Sequence, residues 1–75
     1  MSVYPNPAVE TLQVKSSVLP QDASVNYNIY TVTGSLVQKG KLENHKIDVK
    51  ELELGVYILD VKYQDKKQSI KFIKE

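Results

Sequence analysis

The chain is short, nearly neutral and free of cysteine. It has 75 residues and a mass of 8.5 kDa, and ten basic residues, all of them lysine, against nine acidic residues give a formal net charge of +1. A chain of this length forms one small domain over residues 1–75, with little room for a core plus an enclosed active site. The balanced charge argues against nucleic acid or an anionic membrane as a partner, and the absence of cysteine excludes disulfides and cysteine-based zinc sites.

The composition favours strands over helices. Val occurs ten times and Ile five times, whereas Ala, the best helix former, occurs twice. Side chains branched at Cβ suit the pleated surface of a sheet. No apolar run approaches the ~20 residues of a membrane-spanning helix. The composition therefore predicts an all-β domain without a transmembrane segment.

Alternating apolar residues and turn signals divide the chain into short strands. The stretch from Ser24 to Thr31 alternates in a way that is typical of a half-buried strand. The segment Thr33-Gly34-Ser35 predicts a hairpin turn with Gly34 at a positive φ. The stretch from Val56 to Tyr63 is apolar on both faces at its start. We therefore expect it to be the most buried strand and to be covered on both faces at that end. In chain order, the predicted strands span residues 3–4, 11–16, 24–31, 35–42, 47–50, 56–63 and 68–74.

About seven short strands with frequent turns are the pattern of an antiparallel β-sandwich. A small closed barrel fits the same pattern nearly as well. The pattern alone does not separate the two architectures.

Patterns that would indicate catalysis or metal binding are weak. His45 is the sole histidine and lies in a polar turn, without the second His or Cys that a zinc site needs. No serine or threonine lies in a strand–turn–helix nucleophile elbow, and no Gly-rich phosphate loop is present. Asp48, Glu51 and Glu53 crowd one bend and could offer oxygens to Ca²⁺, although their spacing is not that of an EF-hand. We therefore predict no catalytic residue and no cofactor.

Asp60 breaks the apolar pattern of its strand. It falls on the same face as Val56 and Ile58, which predicts a place at the rim of the sheet or a lysine partner. A charge at a sheet edge that prevents aggregation is favoured over a buried functional acid.

Four segments follow one another in an order that resembles a known family. Tyr4-Pro5-Asn6-Pro7-Ala8 gives a YPNPA opening, and Gly34 lies within a hairpin segment that spans residues 25–37. Ile47 to Leu59 contains an "IDV…L..GVYIL" pattern around Gly55 and Tyr57, and Ser69 to Lys74 gives a terminal "SIKFIK" strand. Together they resemble the type A C-terminal sorting domain of the type IX (Por) secretion system of Bacteroidetes.

This resemblance implies a fold and a function. The fold is an immunoglobulin-like sandwich, which agrees with the strand count. Such a domain ends a larger cargo protein that reaches the periplasm by its own signal and is then recognised by the outer-membrane translocon. In many family members a sortase-like peptidase removes the domain, and the cargo stays on the cell surface or is released. The domain would then be a substrate of the machinery, not an enzyme, and would not insert into the membrane.

The resemblance also assigns roles to residues. Tyr4 belongs to the family motif, and Pro5, Asn6 and Pro7 fix a rigid entry into the sandwich. Gly34 and Gly55 meet backbone demands at turns, and Tyr57 belongs to the core. We expect recognition at the terminal strand, because an edge strand can be read by strand addition and its lysines add charge contacts. The predicted recognition residues are Ile70, Lys71, Phe72, Ile73, Lys74 and Glu75.

Two other functions and an assembly remain open at this stage. A sugar-binding or adhesive module would need Tyr27, Tyr30, Tyr57 and Tyr63 to share an exposed face, although Tyr57 and Tyr63 fit the core better. A structural spacer would continue beyond Glu75 into a longer surface protein. The terminal strand could also pair two copies of the chain into a dimer.

Overall fold

The structure is a computed structural model that describes residues 2–4, 9–15, 25–42, 44–63 and 65–75. The strands within them begin and end within one or two residues of the predicted ones. None of the described residues forms a helix, so this part of the chain holds no helix long and apolar enough to cross a membrane. In chain order the strands are β1 (Ser2–Tyr4), β2 (Thr11–Lys15), β3 (Asn26–Thr31), β4 (Leu36–Lys41), β5 (Lys46–Asp48), β6 (Gly55–Tyr63) and β7 (Lys66–Lys74).

The seven strands form two antiparallel sheets. The smaller sheet has the order β1-β2-β5 and the larger one the order β4-β3-β6-β7. Every paired strand runs antiparallel to its neighbour. The predicted all-β sandwich is confirmed. The closed barrel is wrong, because the two sheets are separate and each has its own edges.

The inward-facing side chains of the two sheets form one core. The alternation predicted for β3 is confirmed, since Tyr27 and Ile29 are buried while Asn26 is exposed. On β6, Leu59 and Val61 lie in the same core. The buried hydrophobic residues are Val3, Leu12, Val14, Val25, Tyr27, Ile29, Leu42, Ile47, Val49, Tyr57, Leu59, Val61 and Phe72.

The outer face of β6 differs from the prediction. Val56 is 40% exposed and Ile58 is only partly buried. The expectation that this strand is covered on both faces at its start is therefore wrong. The reason is architectural, since a two-layer sandwich covers one face of each sheet, and these apolar residues belong to the other face.

One polar side chain connects the two sheets. The Nε2 of Gln38 on β4 donates to the hydroxyl of Tyr27 at 2.9 Å and to the backbone oxygen of Asp48 at 2.8 Å. Tyr27 belongs to the larger sheet and Asp48 to the smaller one, so the amide spans the gap between them. A Cβ on Gly40 would lie 3.2 Å from Cε2 of Tyr27, so the absence of a side chain there makes room for the ring. Neither Gln38 nor Gly40 stands out in the sequence, although a glycine inside a strand often marks such a close approach.

The turn between β3 and β4 has the predicted geometry. Gly34 has a φ of +97°, and its N–H donates to the oxygen of Thr31 at 3.0 Å. The N–H of Thr31 donates to the oxygen of Ser35 at 2.8 Å. Gly55, at the start of β6, also has a positive φ, of +153°. Both glycines thus occupy backbone conformations that other residues adopt at a cost.

We expect Gly34→Val to destabilise the domain by about 1–2 kcal/mol, because a β-branched residue at this φ is strained. A Cβ there would meet open space, so the loss of stability measures backbone strain and not a steric clash. Urea unfolding measures it, with Thr33→Val on the same exposed turn as the matched control. A loss no larger than that of the control would contradict the assignment.

Candidate functional site

The strand predicted to be recognised lies at the edge of the larger sheet. β7 pairs with β6 along its whole length, from Lys66 opposite Tyr63 to Lys74 opposite Gly55. In the described part of the chain no further strand pairs with its other side, although β1 lies close to it. The terminal strand is therefore an edge strand, as the sequence predicted.

The hydrogen-bond pattern shows which backbone groups of β7 point outwards. The N–H of Leu42 donates to the oxygen of Val25 at 2.8 Å, so these opposite residues form a hydrogen-bonded pair. Such pairs recur at every second residue of an antiparallel ladder, so odd-numbered residues of β3 bond to β4 and even-numbered ones to β6. The same rule across β6 directs even-numbered residues of β7 towards β6. The N–H and C=O groups of Ser69 and Lys71 therefore point to the outer edge of the sheet.

The inward face of β7 is part of the core. Phe72 is fully buried, and its ring stacks on that of Tyr57 with centroids 5.8 Å apart and planes at 28°. The hydroxyl of Tyr57 donates to the backbone oxygen of Glu53 at 2.8 Å. Lys74 is 6% exposed, and its Nζ donates to the backbone oxygen of Glu75 at 2.9 Å. These side chains hold β7 onto the sandwich.

The outward face of β7 presents a different set of side chains. Lys71 and Glu75 are exposed, and Ile73 is 44% exposed. The six predicted recognition residues thus divide into three accessible ones and three that face the interior, namely Ile70, Phe72 and Lys74. Of Lys71 and Lys74, only Lys71 presents its charge to solvent, so the expected charge contact from Lys74 is not available in this arrangement. Recognition itself stays a prediction.

Asp60 occupies an inner strand of the larger sheet, not its rim. Its carboxylate accepts a hydrogen bond from the hydroxyl of Ser69 and lies 3.4 Å from Nζ of Lys67. The predicted lysine partner is confirmed. The preferred interpretation as an edge charge is wrong, because β6 lies between β3 and β7.

The candidate calcium ligands do not come together. The carboxylate of Asp48 accepts from the backbone N–H of Lys50 at 3.1 Å and lies 3.7 Å from its Nζ, while Glu51 and Glu53 are exposed. No group of three or more His, Cys, Asp or Glu side chains that could hold a metal ion occurs among residues 2–4, 9–15, 25–42, 44–63 and 65–75. His45, in the turn before β5, has a φ of +60° and its backbone oxygen accepts from Val14.

The tyrosines do not form one exposed platform. Tyr27 and Tyr57 are buried in the core, and Tyr63 packs against it. Tyr30 lies on the opposite, outward face of the sheet. Tyr4, at the end of β1, is 46% exposed but belongs to the other sheet. This arrangement argues against the sugar-binding alternative, which required a shared exposed face.

The sequence matches the model of one protein family. That family is described as the secretion system C-terminal sorting domain, and the match covers residues 2–75. The chain belongs to this family. No curated protein matches the chain with significance.

As a sorting domain of the type IX secretion system, the chain is a signal for export towards the cell surface or the outside and interacts with that secretion machinery. Domains of this family are not normally catalytic. Gly34, Gly55 and Tyr57 of the sorting domain occupy the turn and core positions that the sequence predicted. Pro5, Asn6 and Pro7 lie outside the residues that the structure describes.

Proposed function

We propose that this sorting domain forms the C-terminal part of a larger secreted protein and that the outer-membrane translocon recognises it through β7. The cargo would first reach the periplasm by its own signal. The machinery would then carry it across the outer membrane, and a sortase-like peptidase would remove the domain. The observation that supports this proposal most is the edge position of β7, with outward-directed backbone groups at Ser69 and Lys71.

Strand addition is the mode of recognition that such an edge favours. A partner strand would satisfy the outward N–H and C=O groups, and these main-chain bonds would give affinity that depends little on sequence. Side chains at alternate positions would give specificity, and Lys71 and Ile73 are the exposed ones near this edge. With Lys74 facing the interior, the charge contact would come from Lys71.

The same edge could instead pair with a second copy of the chain. An antiparallel pairing of two β7 strands would bring the lysines of one copy, among them Lys67 and Lys71, near those of the other. Like charges across a strand pair are destabilising. We therefore favour a different protein as the partner, and the mass of the domain in solution by sedimentation checks this choice.

The edge proposal predicts that Lys71→Pro blocks export of a fused reporter while the domain remains folded. Proline lacks the N–H that a partner strand would bind, and an edge position with an outward N–H tolerates it. The matched control is Lys46→Pro on β5, an edge strand of the smaller sheet, where the hydrogen-bond pattern also directs the N–H outwards. Each change removes one exposed lysine, so the edge that is altered is the difference between the two variants.

Export is measured as the fraction of reporter in the medium of a bacterium that has a type IX system, and folding as the melting temperature of the purified domain. We expect both variants to melt close to the parent and only Lys71→Pro to remain in the periplasm. Normal export of a folded Lys71→Pro variant, or equal losses for both edges, would contradict recognition at β7. A reporter in the medium that lacks the mass of the domain would be the mark of cleavage.

A further inference from the structure

The outward face of the larger sheet carries a concentration of lysines at one end. The register places Lys41, Asn26, Lys62 and Lys67 in one row across all four strands. The next row contains Lys39, Asn28, Asp60 and Ser69. A shallow cleft of about 650 Å³ lies over these rows. Four lysines and one carboxylate thus share this half of the face.

The positive charge of this half is only partly compensated. The carboxylate of Asp60 forms an ion pair with Lys67 and accepts a hydrogen bond from Ser69. Across the described ranges, no carboxylate lies within ion-pair distance of Lys39, Lys41 or Lys62. These three ammonium groups are exposed on a chain whose overall charge is only +1, so the face is far more basic than the molecule.

The other half of the same face is apolar. The next row contains Leu36, Tyr30, Ile58 and Lys71, and Val56 lies opposite Ile73 in the row beyond. Leu36, Val56 and Ile73 are each exposed by 40% or more. A contiguous exposed apolar patch beside charged residues is typical of a protein–protein interface.

We propose that the outer face of the β4-β3-β6-β7 sheet docks a partner protein whose surface combines an apolar centre with a flanking group of carboxylates. This inference deepens the proposed function and rests on it for placing the partner within the export machinery. The charge pattern supports this occupant, because complementary carboxylates would pair with Lys39, Lys41 and Lys62 while Val56 and Ile73 are buried. Such pairing steers association and fixes the orientation of the two proteins.

Two other occupants fit the face less well. A second copy stacked face to face would bring uncompensated lysines towards lysines, and such like-charge contacts are unfavourable. Nucleic acid would leave the apolar half exposed, and the chain has no arginine for bidentate contacts to phosphates or bases.

The test compares two triple charge reversals on the reporter fusion in a bacterium with a type IX system. Lys39→Glu, Lys41→Glu and Lys62→Glu reverse the charge of the docking face. Lys15→Glu, Lys46→Glu and Lys50→Glu form the matched control, because they reverse three exposed lysines of the smaller sheet and its following turn and change the net charge equally.

The docking-face variant is expected to lower the exported fraction about tenfold or more, whereas the control stays within about twofold of the parent. Melting temperatures of the purified variants show that both remain folded. We expect Leu36→Asp, which adds a charge to the apolar half at an exposed position, to lower the exported fraction equally without altering any lysine. Equal export of the two triple variants, or equal losses, would overturn the inference.

Photo-crosslinking in intact cells identifies the occupant. A benzophenone side chain at Val56 should form an adduct with another protein. This adduct should disappear in the docking-face variant and persist in the control variant. A benzophenone at the exposed Leu54 should form no adduct. An adduct with a second copy, an adduct with nucleic acid, or no adduct at Val56 would overturn the proposal. If Lys71→Pro is exported normally and the docking-face variant is not, recognition at the β7 edge is rejected while docking at the face stands. The two failures are therefore distinguishable.

Discussion

Replacing Phe72 with alanine is expected to unfold the domain. Phe72 is fully buried and stacks on Tyr57, so truncation removes a large apolar side chain and leaves a cavity between the sheets. Such a change costs about 3–5 kcal/mol. Domains have net stabilities of about 5–15 kcal/mol, and a chain of 75 residues belongs at the low end of that range.

Thermal and urea unfolding measure this effect, with Ile73→Ala as the matched control on the next residue of the same strand. Ile73 faces outwards, so its truncation should cost less than about 1 kcal/mol. Equal losses for the two variants would show that β7 does not contribute to the core as described.

The burial of Phe72 also bears on how recognition can be tested. Deleting residues 69–75 would remove Phe72 and Lys74 from the interior together with the outward-facing Lys71. A loss of export after such a deletion would therefore not separate unfolding from loss of the recognised edge. Point substitutions of outward-facing residues such as Lys71 make that separation.

The second large effect concerns the export of a reporter protein to which the domain is fused. A reporter that enters the periplasm by its own signal and carries this sorting domain at its C-terminus is expected to be exported. The same reporter with Phe72→Ala in the domain is expected to remain in the periplasm. The reason is that the proposed recognition uses an edge and a face, and both exist only when the strands are paired.

Immunoblots of the periplasm and the medium measure this partition. The control is Leu54→Ala, which truncates an exposed apolar side chain outside the docking face. Export of the unfolded Phe72→Ala variant at the level of the parent would mean that the machinery reads a linear segment. Retention of both variants would mean that the loss of export does not follow from loss of the fold.

Much of the fold could be predicted because local signals and tertiary structure agree in this chain. The alternation in β3 and the positive φ at Gly34 are both consequences of the nearest residues in sequence. The covering of β6 could not be predicted in this way. Whether Val56 meets solvent or a second layer depends on which sheet faces which, and period-two patterning does not contain that information.

The site was predicted only in part for the same reason. The terminal strand and its edge position followed from the sequence, but the interior position of Lys74 did not, because lysine is rarely buried. The rim position favoured for Asp60 is wrong because the alternation within one strand does not contain the strand order. The lysine rows of the outward face join residues from four strands, so they become visible only when the register is known.

The central claim is that this folded domain is sufficient to direct a protein through the type IX system. The most direct measurement is the fraction of the fused reporter in the medium, compared between a parent strain and a strain that lacks the outer-membrane translocon. We predict that most of the reporter leaves the parent strain and that it accumulates in the periplasm of the strain without the translocon. Equal amounts in the medium of both strains, or retention in both, would contradict the account.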